Sequence, residues 1–222
     1  MITLSFGAFI ANSRTDAGGG ARAILRLLPR DAEPSRLLFW VFLPLLSMLL
    51  TSRVAAQATV TENPNKVIAA FLRNFAHYVA WPDGVFADVR SPWRVCILGR
   101  DPFGELLDDT LVGRTEQGRP FEIYRAETLD RLPVCQILYI EFDDAAKRRS
   151  ALTALRGQPV LTVGDAHQFL SEGGIIELQV GERVTMSINL DRARADSLQV
   201  QTKMLEVSYA TLENGILHTR KK

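Results

Sequence analysis

Three histidines, two cysteines and two adjacent carboxylate pairs are the side chains of this chain best suited to chemistry. Their spacing supports little of it. His77 lies among apolar neighbours, His167 follows a strand-like run, and His218 is near the end. No two of them have the spacing of a zinc site. No Gly-x-Ser-x-Gly elbow is present, and Ser187 follows Met186 inside a strand-like run without flanking glycines. Asp108-Asp109 and Asp143-Asp144 are consecutive. Neighbouring residues on a helix point in different directions, so neither pair makes an acid–base dyad. Gly99–Gly104 (GRDPFG) follows a strand and precedes a helix, the right setting for a phosphate loop. It lacks GxGxxG spacing, and Pro102 has no N–H to offer an anion. The expectation is no catalytic residue, no metal and no cofactor.

Cys96 and Cys135 are the only cysteines. An even pair in an exported chain predicts one disulfide; two reduced core cysteines are the alternative. Charges offer a second candidate. In an open α/β sheet, ligands bind beyond the carboxyl ends of the strands. That rim would hold Arg100, Asp101, Arg125, Glu141 and Asp165. Arginines facing carboxylates can hold a small anion or zwitterion, or can form a surface ion-pair network. Trp81 and Phe86 are candidate partner anchors, because aromatic residues dominate binding interfaces. For Trp81, packing over the first strand is the competing reading.

These positions depend on alternating elements. Asn65–Ala80 reads as an amphipathic helix, with Val67, Ala70, Phe71, Phe75, Tyr78 and Val79 at three- and four-residue spacing, stopped by Pro82. Arg94–Leu98, Arg119–Tyr124, Gln136–Ile140 and Pro159–Val163 read as strands. Pro102–Thr110, Glu127–Leu132, Asp143–Arg156 and Ala166–Ser171 read as helices or helical turns between and after them. Ile175–Val180 and Arg183–Asn189 alternate like an antiparallel hairpin that would form the sheet edge. Leu190–Ala195 and Val200–Leu212 read as closing helices. This order predicts a single three-layer α/β domain, a mainly parallel sheet flanked by helices, with a C-terminal antiparallel hairpin. An exposed edge from that hairpin could pair across a homodimer. In the strand order 2-1-3, the strands near the two cysteines are neighbours, which suits a bridge.

Residues 36–58 set the compartment. A basic Arg36, the apolar run Leu37–Leu50 and the small-x-small site Ala56-Gln57-Ala58 read as a secretory signal peptide. The run is too short for the roughly 20 residues of a spanning helix. Cleavage after Ala58 would release residues 59–222; an uncleaved signal anchor, mildly favoured by Arg53, is the alternative. Residues 1–35 are rich in Gly, Ala and Arg without periodicity, and fit a start codon assigned too far upstream. The whole chain carries 26 basic and 25 acidic residues. So even a balance gives no electrostatic footprint for nucleic acid. The cluster Arg220–Lys222 reads as a solvated end.

Four segments carry a family resemblance. They are Phe71-Leu72-Arg73-Asn74-Phe75 running into Val79-Ala80-Trp81-Pro82, Val95–Gly104 (VCILGRDPFG), Pro159–Asp165 (PVLTVGD), and Gly173-Gly174-Ile175-Ile176 followed by Ile188-Asn189-Leu190. Together, across about residues 65–212, they resemble the YfiR-like family of small exported proteins. The resemblance implies a periplasmic repressor. Such a protein binds the periplasmic sensor domain of an inner-membrane diguanylate cyclase, holds the enzyme inactive, and so controls cyclic-di-GMP and biofilm formation. Some relatives occur near sensor histidine kinases or outer-membrane receptors, so another membrane sensor could be the partner. Family members often carry cysteines where Cys96 and Cys135 stand; this chain has no residues for a second bridge. It also departs at Gln201–Ser208 (QTKMLEVS), where relatives are often Ser-rich. A periplasmic protein that binds a small molecule and acts with a sensor kinase or transporter is the second reading. An exported hydrolase is the third, and the absence of a nucleophile or metal motif counts against it.

Overall fold

The computed structural model describes residues 63–220. The apolar run Leu37–Leu50 and the cleavage site after Ala58 lie outside the described residues. None of the described helices is long and apolar enough to cross a membrane.

Helix α1 spans Pro64–Tyr78. Asn63 caps it by accepting from the Asn65 N–H at 3.0 Å, and Pro64 begins it where no N–H is required. Its buried residues are Ile68, Ala69, Leu72, Phe75 and Ala76. The stripe expected from sequence is thus rotated: Ala70 is exposed and Val67 and Phe71 only half-buried. Apolar residues occur on more than one face of this helix, so periodicity alone does not select the buried one. The helix ends before Pro82 because Val79–Ala80 (β1) pairs antiparallel with Gln199–Val200 (β9).

The other strands form one mixed sheet. They are β2 (Trp93–Gly99), β3 (Thr115–Glu116), β4 (Arg119–Ala126), β5 (Ile137–Glu141), β6 (Leu161–Gly164), β7 (Ile176–Val180), β8 (Val184–Asn189), β10 (Ala210–Glu213) and β11 (Ile216–Thr219). Their spatial order is β11-β10-β8-β7-β6-β5-β2-β4-β3. Strands β4, β2, β5, β6 and β7 are successively parallel. The interleaved helices are α2 (Glu105–Leu111), α3 (Ala145–Ala154), α4 (Leu190–Ala195) and α5 (Thr202–Val207). A 3-10 turn at Leu129–Arg131 stands within the expected helical turn.

Both faces of the parallel strands are buried, which explains their near-continuous apolar runs. Val95, Ile97, Ile137, Tyr139, Leu161 and Val163 enter one core with α1 and α2. The alternate residues Cys96, Leu98, Leu138 and Ile140 enter a second core with Leu152 of α3. Cys96 and Cys135 are joined, with Cα atoms 6.1 Å apart. The bridge ties β2 to the residues leading into β5, its neighbour in the sheet.

The C-terminal region differs from expectation. The hairpin β7–β8 is antiparallel, but it lies inside the sheet because β10 pairs parallel with β8. Val200–Leu212 is not one helix: α5 covers only Thr202–Val207, and Ala210–Glu213 is a strand. Asn214 and Gly215, both at positive φ, turn β10 into the antiparallel β11. An Asn-Gly pair is the strongest short hairpin signal, since both residues tolerate that conformation. The Ala166–Ser171 segment forms turns rather than a helix. The C-terminal edge of the sheet is therefore β11, all four of whose residues are exposed, and not the hairpin β7–β8.

Candidate functional site

The rim lies where β2 and β5 end side by side. Gly99 at the end of β2 has φ +95°, and it pairs across with Glu141 at the end of β5. A Cβ on Gly99 would stand 2.2 Å from the Glu141 carbonyl oxygen. Only glycine allows both that approach and that φ. The chain then turns so that the Arg100 N–H donates to the same carbonyl at 3.1 Å.

The five rim residues fall into two groups. On the β4 side, Arg125 donates to Asp101 at 2.6 Å and to Asp108 at 2.5 Å. It also donates to the Gly104 carbonyl at 3.0 Å. Asp101 meanwhile accepts from the Phe103 N–H at 2.8 Å. This half is an ion-pair clasp that closes the loop between β2 and α2. On the β5 side, Arg100 donates to Glu141 at 2.7 Å and stands 3.5 Å from Asp143. Asp165, just past β6, is half-buried and makes no ion pair among the described residues.

Tyr139 belongs to this second group, and sequence reading missed it. It points to the same face of β5 as Glu141, two residues on. It is fully buried, its ring is 4.9 Å from that of Phe103, and its hydroxyl approaches Asp165 without closing a well-formed hydrogen bond. Burial above all, then the charges of Asp165 and Glu141, keep that hydroxyl from ionising. Reading Gln136–Ile140 only as a strand hid it; the available signal was a Tyr in phase with a strand-end Glu.

Glu141 is expected to weaken the fold as it ionises. Burial, and the neighbouring Asp165, raise its carboxyl above the ordinary value of 4.5, and Arg100 offsets only part of this. The folded state then holds the proton more tightly than the unfolded state does. The cost is absent below about 4.5 and complete once pH has risen through the folded-state value. Glu141→Gln should therefore gain stability over wild type as pH rises from that region toward neutrality. Urea denaturation at both ends checks this; a difference that is constant with pH, or opposite in sign, contradicts it.

Trp81 and Phe86 stand apart from the rim. Both pack against Trp93, the first residue of β2, with ring centroids 5.0 and 4.8 Å away. The guanidinium of Arg119 lies 3.9 Å above the Phe86 ring and donates to the Asp88 and Ser91 carbonyls. Trp93 donates its ring N–H to the Glu116 carbonyl, whereas the buried ring N–H of Trp81 has no partner. Both aromatics remain half-buried and line a cavity of about 450 Å³ with Val89, which is 81% exposed. Packing over the first strand and presenting an open side thus coexist here.

A family model described as YfiR/HmsC-like matches residues 65–209, from the start of α1 to the residue before β10.

Proposed function

The chain belongs to the YfiR/HmsC-like family, and from that membership we propose a regulator of the periplasm that binds the periplasmic sensor domain of an inner-membrane diguanylate cyclase and holds the enzyme inactive. The family match across residues 65–209 carries this reading. A disulfide buried in the core suits an oxidising compartment. The protein acts by docking: it binds one state of the sensor in preference to the other and shifts that equilibrium. Loss of docking then raises cyclic-di-GMP in the cell and promotes biofilm.

The docking surface in this proposal is the edge formed by Trp81, Phe86 and Val89. An aromatic pair fixed on Trp93 is already ordered, so little side-chain entropy is lost on association. Trp81→Ala is expected to weaken binding to the isolated sensor domain by roughly thirtyfold or more, as for an interface hot spot. Trp81 also packs on Trp93, so the exposed Val89→Glu serves as a variant that leaves the core intact. Binding is measured by titration calorimetry, alongside cyclic-di-GMP in cells carrying the same variants. Wild-type affinity in both variants would rule out this surface. A sensor domain that binds no form of the protein would rule out the function.

A further inference from the structure

We propose that a cavity on the α1 face of the sheet, where β8 begins and β11 ends, binds a small carboxylate with a short apolar body, its head held by Arg183 and Arg220. This goes beyond the docking function and uses none of the residues on the Trp81 edge. Arg220 also lies past residues 65–209, so family membership does not supply this site.

The backbone builds the floor of the cavity. The Tyr209 N–H donates to the Met186 carbonyl at 2.7 Å, and the Arg220 N–H donates to the Tyr209 carbonyl at 2.9 Å. These three residues continue the registers of β8, β10 and β11 and so stand abreast across the sheet. Residues abreast on neighbouring strands share a face, and Met186 belongs to the core that holds α1. Met186, Tyr209 and Arg220 therefore point to the side on which α1 lies. There Phe71 of α1, with Val184 and Val207, completes a cavity of about 190 Å³.

Two properties select the ligand. The first is charge. Arg183 and Arg220 both line the cavity and are exposed. Neither makes an ion pair among the described residues. No carboxylate lines the cavity, whereas Asp83 and Asp88 line the larger one beside Trp81. An anion is therefore attracted here and an ammonium repelled. A guanidinium presents a planar fork of N–H donors that matches a carboxylate. Arg220 gives one N–H to the Glu206 carbonyl, which leaves its other donors for a ligand. The second property is apolar surface. Met186 is buried at the floor, but Val207 is 66% and Tyr209 50% exposed. A hydrocarbon body lying between them would take that surface out of water. At about 190 Å³ the cavity is smaller than the roughly 300–1,000 Å³ of drug-sized sites, so the body holds only a few carbon atoms.

Melting curves and ligand-observed NMR titrations of the disulfide-bonded protein test this. The probes are sodium hexanoate, sodium acetate and hexylammonium chloride at neutral pH and equal ionic strength. Hexanoate at tens of millimolar should raise the melting temperature by roughly a few degrees above acetate, and hexylammonium should not. Arg183→Gln and Arg220→Gln should each weaken hexanoate by roughly two- to fivefold, the worth of an exposed ion pair, and together by about tenfold. Val207→Glu sets a carboxylate on the exposed wall; it should also weaken hexanoate, and it carries the test if an arginine variant does not fold. Arg156→Gln removes an exposed arginine beyond α3 and should bind as wild type. The proposal is overturned if hexanoate matches acetate, or if hexylammonium stabilises as much as hexanoate. It is also overturned if the double arginine variant binds as tightly as wild type. The same holds if Arg156→Gln weakens binding as much as Arg220→Gln, as attraction to general positive charge would give.

Discussion

Replacing Cys96 and Cys135 together by alanine is expected to destabilise the domain by about 4 kcal/mol. The bridge joins residues 39 apart, and the chain-entropy cost of leaving a loop of that length open is about that size. Both sulfurs lie in the second core: Cys96 is fully buried and Cys135 is 6% exposed. Alanines there also remove packing against Leu138 and the end of α3, so 4 kcal/mol is the smaller part of the expected range. For a domain of this size each kcal/mol lowers the melting temperature by about 2–4 °C, giving a fall of roughly 8–16 °C. Urea denaturation of oxidised wild type and of the double variant measures it. Equal midpoints would show that the bridge is mechanically idle. Mass spectrometry supplies the premise: the oxidised protein must gain two hydrogens on reduction. Because the sulfurs are buried, reductant should act slowly on the folded protein and quickly in urea.

Glu172→Ala is expected to cost about 3–5 kcal/mol, the penalty for leaving one half of a buried ion pair without the other. Arg148 on α3 meets both Glu172 oxygens at 2.8 Å. The two side chains are only 9% and 7% exposed. The same guanidinium donates to the Phe142 carbonyl at 2.6 Å and to the Asp143 carbonyl at 3.2 Å. One arginine thus fastens the loop that follows Glu141 at the end of β5 to the turns that follow Asp165 after β6. Losing Glu172 leaves a charge in the core that the carbonyls alone cannot balance. Replacing both partners, Arg148→Met with Glu172→Leu, should recover much of the loss, because no charge remains buried. A double-mutant cycle reads the coupling. Additive single effects would mean that the pair contributes nothing as a pair.

Most of the sheet was legible because it is buried on both faces. Runs such as Val95–Leu98 and Gln136–Ile140 are too apolar for a half-exposed strand and too short for a helix. Gly99, Pro102 and Gly164 mark their ends. The disulfide could be anticipated because consecutive βα units place strands one and three side by side. The C-terminal region was not legible in the same way. Met204, Leu205, Val207 and Leu212 have helical spacing, yet β10 is pulled into place beside β8 by ladder hydrogen bonds that no local pattern announces. Asn214-Gly215 did announce a hairpin, and the helical reading stopped just short of it.

The candidate site shows the same division. Arg100, Asp101, Arg125, Glu141 and Asp165 could be assigned to one rim from the sequence, because parallel strands end on a common side and their charged termini follow. Which arginine meets which carboxylate was decided only in three dimensions. Arg125 turns to Asp101 and Asp108, a contact made once α2 is folded over β4. Arg100 turns to Glu141 because Gly99 and Glu141 share a register position. Tyr139 was visible as a residue, but its burial exists only once Phe103 covers it. Trp81 and Phe86 were visible as aromatics; that both rest on Trp93 while keeping an open side follows from the approach of the loop between β1 and β2.

By itself, the sequence determined an α/β domain with two buried sheet faces, a pair of cysteines placed to bond, and a charged rim at the strand ends. Those properties depend on composition and short-range periodicity, which every residue's neighbours carry. Tertiary structure decided the order of the last strands, the partners of each rim charge and the burial of the Tyr139 hydroxyl. Those depend on strand register and on contacts between residues tens of positions apart, and a shift of one residue would turn Tyr139 and Glu141 to the opposite face.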